Sequence, residues 1–186
     1  MASQLLSCQN YQESLNGASK SLAAQNKSAL VSDISMNDKE GLHLEILSRE
    51  TKKAFLKFSK ASFLARGKWY LAGGTALALQ VGHRESVDLD FFLSAKKFDI
   101  PALEAELIAA GDWITSYRSS GTLYGTFFDA KASFIVYPFF KPQSFLKYGN
   151  MKLAASPDVA AMKIIAISQR GKKRDFIDLY WYCINR

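Results

Sequence analysis

Little in this chain points to a covalent framework or a zinc centre. The sequence has only two cysteines, Cys8 and Cys183, and two histidines, His43 and His83, in 186 residues. The cysteines lie far apart with no C-x-x-C spacing, which leaves no disulfide scaffold and suits a reducing interior. The histidines are too few and too distant for a zinc site. No apolar run approaches the ~20 residues of a membrane span. The first residues lack a charged stretch followed by a long apolar core, so no secretory signal is expected, and a bacterial-type cytoplasm is the expected compartment. Internal repeats are absent. Acidic residues are in the minority, 17 against 24 Lys and Arg, for a net charge of +7 and a pI near 9.4. That balance suits a polyanionic partner, a nucleotide or a nucleic acid, although an ordinary basic surface would give it too. What is plentiful is apolar content: 48% hydrophobic residues can build a core for one domain.

Residues 1–36 are rich in Ser, Gln, Asn and Ala and carry few charges. They read as a weakly structured extension with a short helix near Ser19 to Gln25. From Asn37 the character changes, and residues 37–186 read as one domain. The run NDKE offers a helix start, and Leu44, Leu47, Phe55, Phe58 and Leu64 recur at amphipathic-helix spacing. Lys52, Lys53, Lys57 and Lys60 lie among them, as a solvated face or part of a nucleic-acid footprint.

The stretch Tyr70 to Leu93, YLAGGTALALQVGHRESVDLDFFL, organises the rest. A short apolar strand, Trp69 to Ala72, is broken by Gly73 and Gly74. Thr75 then opens a compact helix that Gly82 can cap. A second strand spans Val87 to Leu93. Alternation turns Val87, Leu89 and Phe91 one way and Asp88 and Asp90 the other, about 7 Å apart. Glycines admit close approach of a phosphate, and a helix N-terminus favours negative charge. Two adjacent carboxylates repel unless a hard, oxygen-seeking cation such as Mg²⁺ relieves them. Together these features point to a site for a metal-bound triphosphate. A Gly-Gly turn or a D-x-D taken singly is more often a plain turn or a solvated strand face.

Farther along, PALEAELIAA reads as a helix closed by Gly111. Trp113 to Arg118, Thr122 to Phe128 and Ala132 to Tyr137 read as an antiparallel meander. Phe139 to Ala155 reads as loop, with a short strand at Met151 to Leu153. Ser156 and Pro157 start a helix that runs to about Gln169. Its lone internal charge, Lys163, sits among Met162, Ile164, Ile165 and Ile167, and either snorkels to the surface or reaches inward to a triphosphate. A last helix begins near Arg174, with Asp175, Asp178 and Tyr182 on one face. Placement near a helix N-terminus and an Arg174–Asp178 pair would account for both acids without a site. Arg170, Lys172, Lys173 and Arg174 form the densest basic cluster, facing acceptor phosphates or solvent.

The run GGTALALQVGHRESVDLDFF resembles the nucleotidyltransferase signature of the AbiEii/AbiGii toxin family, with its GG-[ST] turn, H-R-x-S element and D-x-D-x-F strand. AAMKIIAISQRGKKRDFIDLY resembles the family's second signature, a lysine-bearing helix followed by R-D-F-x-D. The resemblance runs from about Lys68 to Tyr182. It implies the polymerase-β-like nucleotidyltransferase fold, an α/β domain with a mixed, partly antiparallel sheet. It also implies Mg²⁺-dependent transfer of a nucleotide from an NTP to an acceptor such as RNA or tRNA. The protein would be the toxin of a toxin–antitoxin or phage-defence pair, with a cognate antitoxin protein as partner.

On that resemblance Asp88 and Asp90 bind the metal, while Gly73, Gly74 and Thr75, with Ser86 and Arg84, cradle the phosphates. Lys163 neutralises charge on the leaving pyrophosphate, and Asp175 and Asp178 hold Lys163, Arg84 or the nucleotide. The chain departs from the wider pattern on the strand KASFIVYP, where Ser133 stands in place of a third carboxylate. A general base could then be Asp129, Asp178 or none. A non-catalytic nucleotide-binding module, or a phosphotransferase with the same cradle, remains an alternative.

Overall fold

The computed structural model of the chain describes residues 41–185. The extension expected over residues 1–36 and the Asn37–Glu40 helix start lie outside the described residues. After a single 3-10 turn, Leu44–Ile46, come helices α1 (Arg49–Phe58) and α2 (Ser62–Arg66). Strand β1 (Tyr70–Ala72), helix α3 (Gly73–Val81) and strand β2 (Asp88–Leu93) form the organising stretch. Then follow α4 (Ile100–Ala110), β3 (Trp113–Ser119), β4 (Thr122–Phe127), β5 (Ala130–Val136), β6 (Phe145–Tyr148), β7 (Met151–Ala154), α5 (Ser156–Arg170) and α6 (Lys173–Asn185). No helix among the described residues is long and apolar enough to cross a membrane.

The seven strands make one mixed sheet in the order β3-β4-β5-β2-β1-β7-β6. β2 runs parallel to β5 and β1 parallel to β7, while the other neighbours are antiparallel. The expected α/β architecture with a partly antiparallel sheet is therefore the observed one. α1 shows why the core forms on one face. The Ser48 hydroxyl caps it by accepting from the Thr51 amide at 3.2 Å. Thr51, Ala54, Phe55 and Phe58, at helical spacing, are all buried. The Phe58 ring stacks on Phe127 at 4.3 Å and meets Phe91 edge-on at 5.0 Å. Burying each such ring contributes roughly 1.5–3 kcal/mol.

Alternation along β2 works as the sequence predicts for Leu89 and Phe91, which are core residues. Val87 is different: it precedes the strand and is exposed. The Phe139–Ala155 segment also differs from the expected loop. Phe145–Tyr148 pairs antiparallel with Met151–Ala154 through a turn at Gly149, whose φ of 58° is left-handed. The β4–β5 turn consists of Phe128 and Asp129, both at positive φ, one residue earlier than the sequence suggested.

Candidate active site

The break after β1 is made by Gly73, at φ 74°, a conformation that glycine adopts without a Cβ penalty. A Cβ on Gly73 would sit 3.2 Å from Asp90 Oδ2, so the glycine also lets that carboxylate come close to the helix start. A Cβ on Gly74 would collide with Arg84 Nη2. The first turn of α3 has no side-chain cap; Ala72 occupies the N-cap position. Its free N–H groups therefore add positive potential to the space they border. Gly82, at φ 65°, closes the helix as expected.

Beyond Gly82 the chain passes through His83, Arg84 and Ser86 to reach β2, and a relay of hydroxyls fixes that path. Thr75 Oγ1 donates to the Asp88 carbonyl, so the 2.7 Å contact between Thr75 and Ser86 has Ser86 as donor. Arg84 Nη1 in turn lies 3.5 Å from Ser86 Oγ. Thr75 and Ser86 thus tie the start of α3 to the start of β2, and both are buried.

Asp88 and Asp90 face a cleft of about 700 Å³. Gly73, Gly74, Thr75, Arg84, Ser86, Lys163, Arg170, Arg174 and Asp175 border it as well. Asp88 is partly open, and Arg174 Nη1 approaches its Oδ2 at 3.9 Å. Asp90 is more enclosed and accepts from the Ser133 hydroxyl at 2.5 Å. Burial pushes the Asp90 carboxyl above its ordinary range and neighbouring Asp88 pushes the same way, against the Ser133 hydrogen bond, Lys163 and Arg170. An enclosed acid beside a second acid is an electrostatic cost that a bound cation offsets. Two carboxylates are hard oxygen donors, so the residues present fit Mg²⁺. No cluster of three or more potential His, Cys, Asp or Glu ligands occurs among the described residues.

The far wall of the cleft is built by the turn between α5 and α6. Gly171, at φ 55°, ends α5 and lets α6 fold back along it. Lys163 is only 5% exposed, so it does not snorkel. Its Nζ donates to Asp175 Oδ1 at 2.7 Å and pairs with Asp178 Oδ2 at 2.8 Å. Asp175 also receives Arg170 Nε at 3.1 Å. Asp178 is fully buried and takes Arg84 in a fork, Nε at 2.7 Å and Nη2 at 3.0 Å. His83 Nε2 is 2.8 Å from Asp178 Oδ1.

Burial alone would raise both α6 carboxyls. Hydrogen bonds from Lys163 and Arg170 outweigh it at Asp175, and those from His83, Arg84 and Lys163 at Asp178, so both sit below the usual range. Three cations, Arg84, Lys163 and Arg170, thus surround two carboxylates and leave this wall net positive.

The structure brings Asp88, Asp90, Gly73, Gly74, Thr75, Arg84, Ser86, Lys163 and Asp175 to one cleft. Asp178 stands behind that wall and does not line it. The anticipated Arg174–Asp178 pair is replaced by Arg174 facing Asp88 and Asp178 holding Arg84, Lys163 and His83. Asp129 sits in the β4–β5 turn and is also absent from the lining. His83 had no assigned role; its partner lies 95 residues away, and no local pattern announces that contact. Its Nδ1 is buried without a hydrogen-bond partner.

Residues 61–116 match the family model described as nucleotidyl transferase AbiEii toxin, type IV TA system. This segment is similar to the AbiEii family. It contains the glycine turn, α3 and both β2 carboxylates, and it ends before Lys163, Asp175 and Asp178. The uncharacterized protein aq_aa25 of Aquifex aeolicus (strain VF5) is 37% identical over 123 residues, 63% of this chain. The chain spans 58% of the length of that relative.

Two solved structures from Helicobacter pylori are similar to this chain in fold. JHP933 has a TM-score of 0.50 at 20% identity, over 75% of this chain and 68% of its own. A candidate nucleotidyltransferase has a TM-score of 0.51 at 19% identity, over 74% and 70%. The chain shares its fold with both, and that fold is the expected α/β domain with a mixed, partly antiparallel sheet.

Proposed function

We propose that the protein transfers a nucleotide from an NTP to an RNA acceptor, tRNA included, as the cytoplasmic toxin of a toxin–antitoxin or phage-defence pair with a protein antitoxin. The observation that carries this reading is the cleft itself. Asp88 and Asp90 face an uncapped helix N-terminus, with the cationic wall of Arg84, Lys163 and Arg170 beside it. Asp88 and Asp90 hold Mg²⁺ brought in with the triphosphate, and the metal supplies charge neutralisation at the phosphates. The Gly73, Gly74 and Thr75 amides receive phosphate oxygens. Arg84, oriented by Asp178, and Lys163, oriented by Asp175 and Asp178, meet the charge that gathers on the departing pyrophosphate. Thr75 and Ser86 keep the glycine turn and β2 in register. Phosphoryl-type transfers depend chiefly on positioning and electrostatics, which these residues provide.

A second reading, a nucleotide-binding module without transfer, draws on one observation: Ser133 faces Asp90 across the β2–β5 pair, and neither Asp129 nor Asp178 lines the cleft. Incubation of the full chain with Mg²⁺, total cell RNA and NTP labelled at the α- or the γ-phosphate separates the readings. RNA labelled from the α-phosphate supports nucleotide transfer. RNA labelled from the γ-phosphate alone indicates a phosphotransferase. No label from either, with Mg²⁺-NTP still raising the thermal midpoint, indicates the binding module.

A further inference from the structure

One register row crosses four strands from the carboxylate pair to the edge of the sheet. Asp90 on β2 pairs with Ser133 on β5, Ser133 with Tyr124 on β4, and Tyr124 with Tyr117 on β3. Side chains in one such row project to one face, and the hydrogen bond from Ser133 to Asp90 shows that this is the cleft face. With strands about 4.8 Å apart, Tyr124 lies roughly 10 Å from Asp90 and Tyr117 roughly 14 Å. The neighbouring row runs Asp88, Lys131, Thr126, Ile114.

This face is uncovered where the two tyrosines stand. Tyr124 is 40% exposed and Tyr117 52%, and their rings lie 5.6 Å apart at a tilt of 31°. Lys131 is exposed beside them. Tyr117 reaches this face only because of a bulge. The β3–β4 register shifts between Thr115 and Tyr117, with Ser116 as the extra residue. Trp113 is buried and Thr115 bonds Glu104 of α4 at 2.5 Å, so both face the helix side. Unbroken alternation would send Tyr117 there too. The bulge turns it over to face Tyr124, and Arg118 returns to Glu104 at 2.9 Å.

We infer that Tyr124 and Tyr117 form a stacking platform for unpaired bases of a single-stranded RNA acceptor, which leads the strand to the Asp88–Asp90 pair. This rests on the RNA-acceptor reading above. Exposed aromatic rings stack on any base, and single-stranded nucleic acid offers bases that a duplex keeps enclosed. The charges fit the same occupant. Lys131 lies on the platform side of Asp88, and Arg174 and Lys172 line the cleft with it. A basic margin beside exposed rings suits a phosphate backbone. The row continues without interruption from the platform to Asp90, so a bound strand and the reacting site share one surface.

The test is fluorescence anisotropy at fixed salt and without NTP. The probes are a fluorescein-labelled mixed-sequence oligoribonucleotide, single-stranded or annealed to its complement. Wild type should bind the single strand more tightly than the duplex. Tyr124→Ala should weaken single-strand binding by about tenfold or more, the scale of one lost stacked base, whereas Tyr124→Phe keeps the ring and the affinity. Thermal midpoints show that each variant is folded. A folded Tyr124→Ala that binds the single strand as wild type does overturns the platform and leaves the RNA acceptor standing. A lowered midpoint with unchanged binding overturns it likewise and reduces the tyrosines to a cross-strand pair that stabilises the hairpin. Equal affinity of wild type for strand and duplex also overturns the platform. Wild type that binds neither probe removes the RNA-acceptor reading as well.

Discussion

Ser133 stands directly across the β2–β5 pair from Asp90 and donates its hydroxyl to that carboxylate at 2.5 Å. A carboxylate at this position would add a third acid to the pair and increase its repulsion. The serine instead supports the more enclosed of the two acids with a neutral donor. Ser133→Asp should therefore lower the thermal midpoint without divalent cations, and Mg²⁺ should raise it by more than in wild type. Thermal scans with and without Mg²⁺ check this. An equal Mg²⁺ response in both proteins would mean that position 133 is not part of the metal-binding surface.

Lys163 is a structural member of the far wall as well as a cleft residue. Its neighbours Ile164, Ile165 and Ile167 left open whether it turns inward or snorkels to the surface, where its removal would be expected to cost the fold little. Burial between Asp175 and Asp178 changes that expectation. Removing one partner of a buried pair leaves uncompensated charge, so Lys163→Ala should cost about 3 kcal/mol. It should also reduce Mg²⁺-NTP binding. Urea unfolding and NTP titration of the variant measure the two effects separately.

The same wall gives the protein an acid limit. Asp175 and Asp178 have carboxyls held below the ordinary value in the folded state. An acid with a depressed folded value contributes stability that is fully present above its unfolded value, about 3.9, and is lost as pH falls toward the folded value. Urea midpoints should therefore fall steeply below about pH 4. Asp178→Asn should be less stable at neutral pH, with a shallower loss on acidification. A parallel pH profile for the variant would remove Asp178 from the account of acid stability.

The two glycines of the turn have different jobs, and substitution should separate them. Gly73→Ala places a Cβ on a left-handed backbone and should cost about 1–2 kcal/mol. Gly74→Ala meets the Arg84 guanidinium and should displace it from Asp178, lowering the Mg²⁺-NTP thermal shift. Midpoints with and without Mg²⁺-NTP distinguish a backbone cost from a binding cost.

Much of the near wall was legible because its signals are local. The Gly-Gly break, the Gly82 cap and the alternation of Asp88, Leu89, Asp90 and Phe91 are set by residues within a few positions of one another. Strand β6 was not legible: FLKY is four residues long, lies among lysines and aromatics, and becomes a strand by pairing with β7. The direction of Tyr117 was hidden for a related reason, since one bulged residue reverses its face without altering composition. The partners of Asp178 were out of reach of any local pattern, because His83 and Arg84 meet it across 95 and 94 positions. Ser133 is the converse case. The resemblance, with its third carboxylate on a later strand, marked it as the position to examine, and the register places it opposite Asp90.

On the function proposed above, Asp88 and Asp90 hold the metal that carries the triphosphate. The most direct measurement is transfer of α-phosphate label to RNA, with thermal midpoints alongside, for wild type, Asp88→Asn and Asp90→Asn. Asparagine keeps the size of the side chain and removes the charge that a hard dication requires. The Asp90 carboxyl is raised by burial, so its ionised form costs stability near neutral pH, and Asp90→Asn should be at least as stable as wild type without metal. The account predicts folded variants that lose both label transfer and the Mg²⁺-NTP stabilisation. Folded variants that transfer label at near wild-type rates would contradict it.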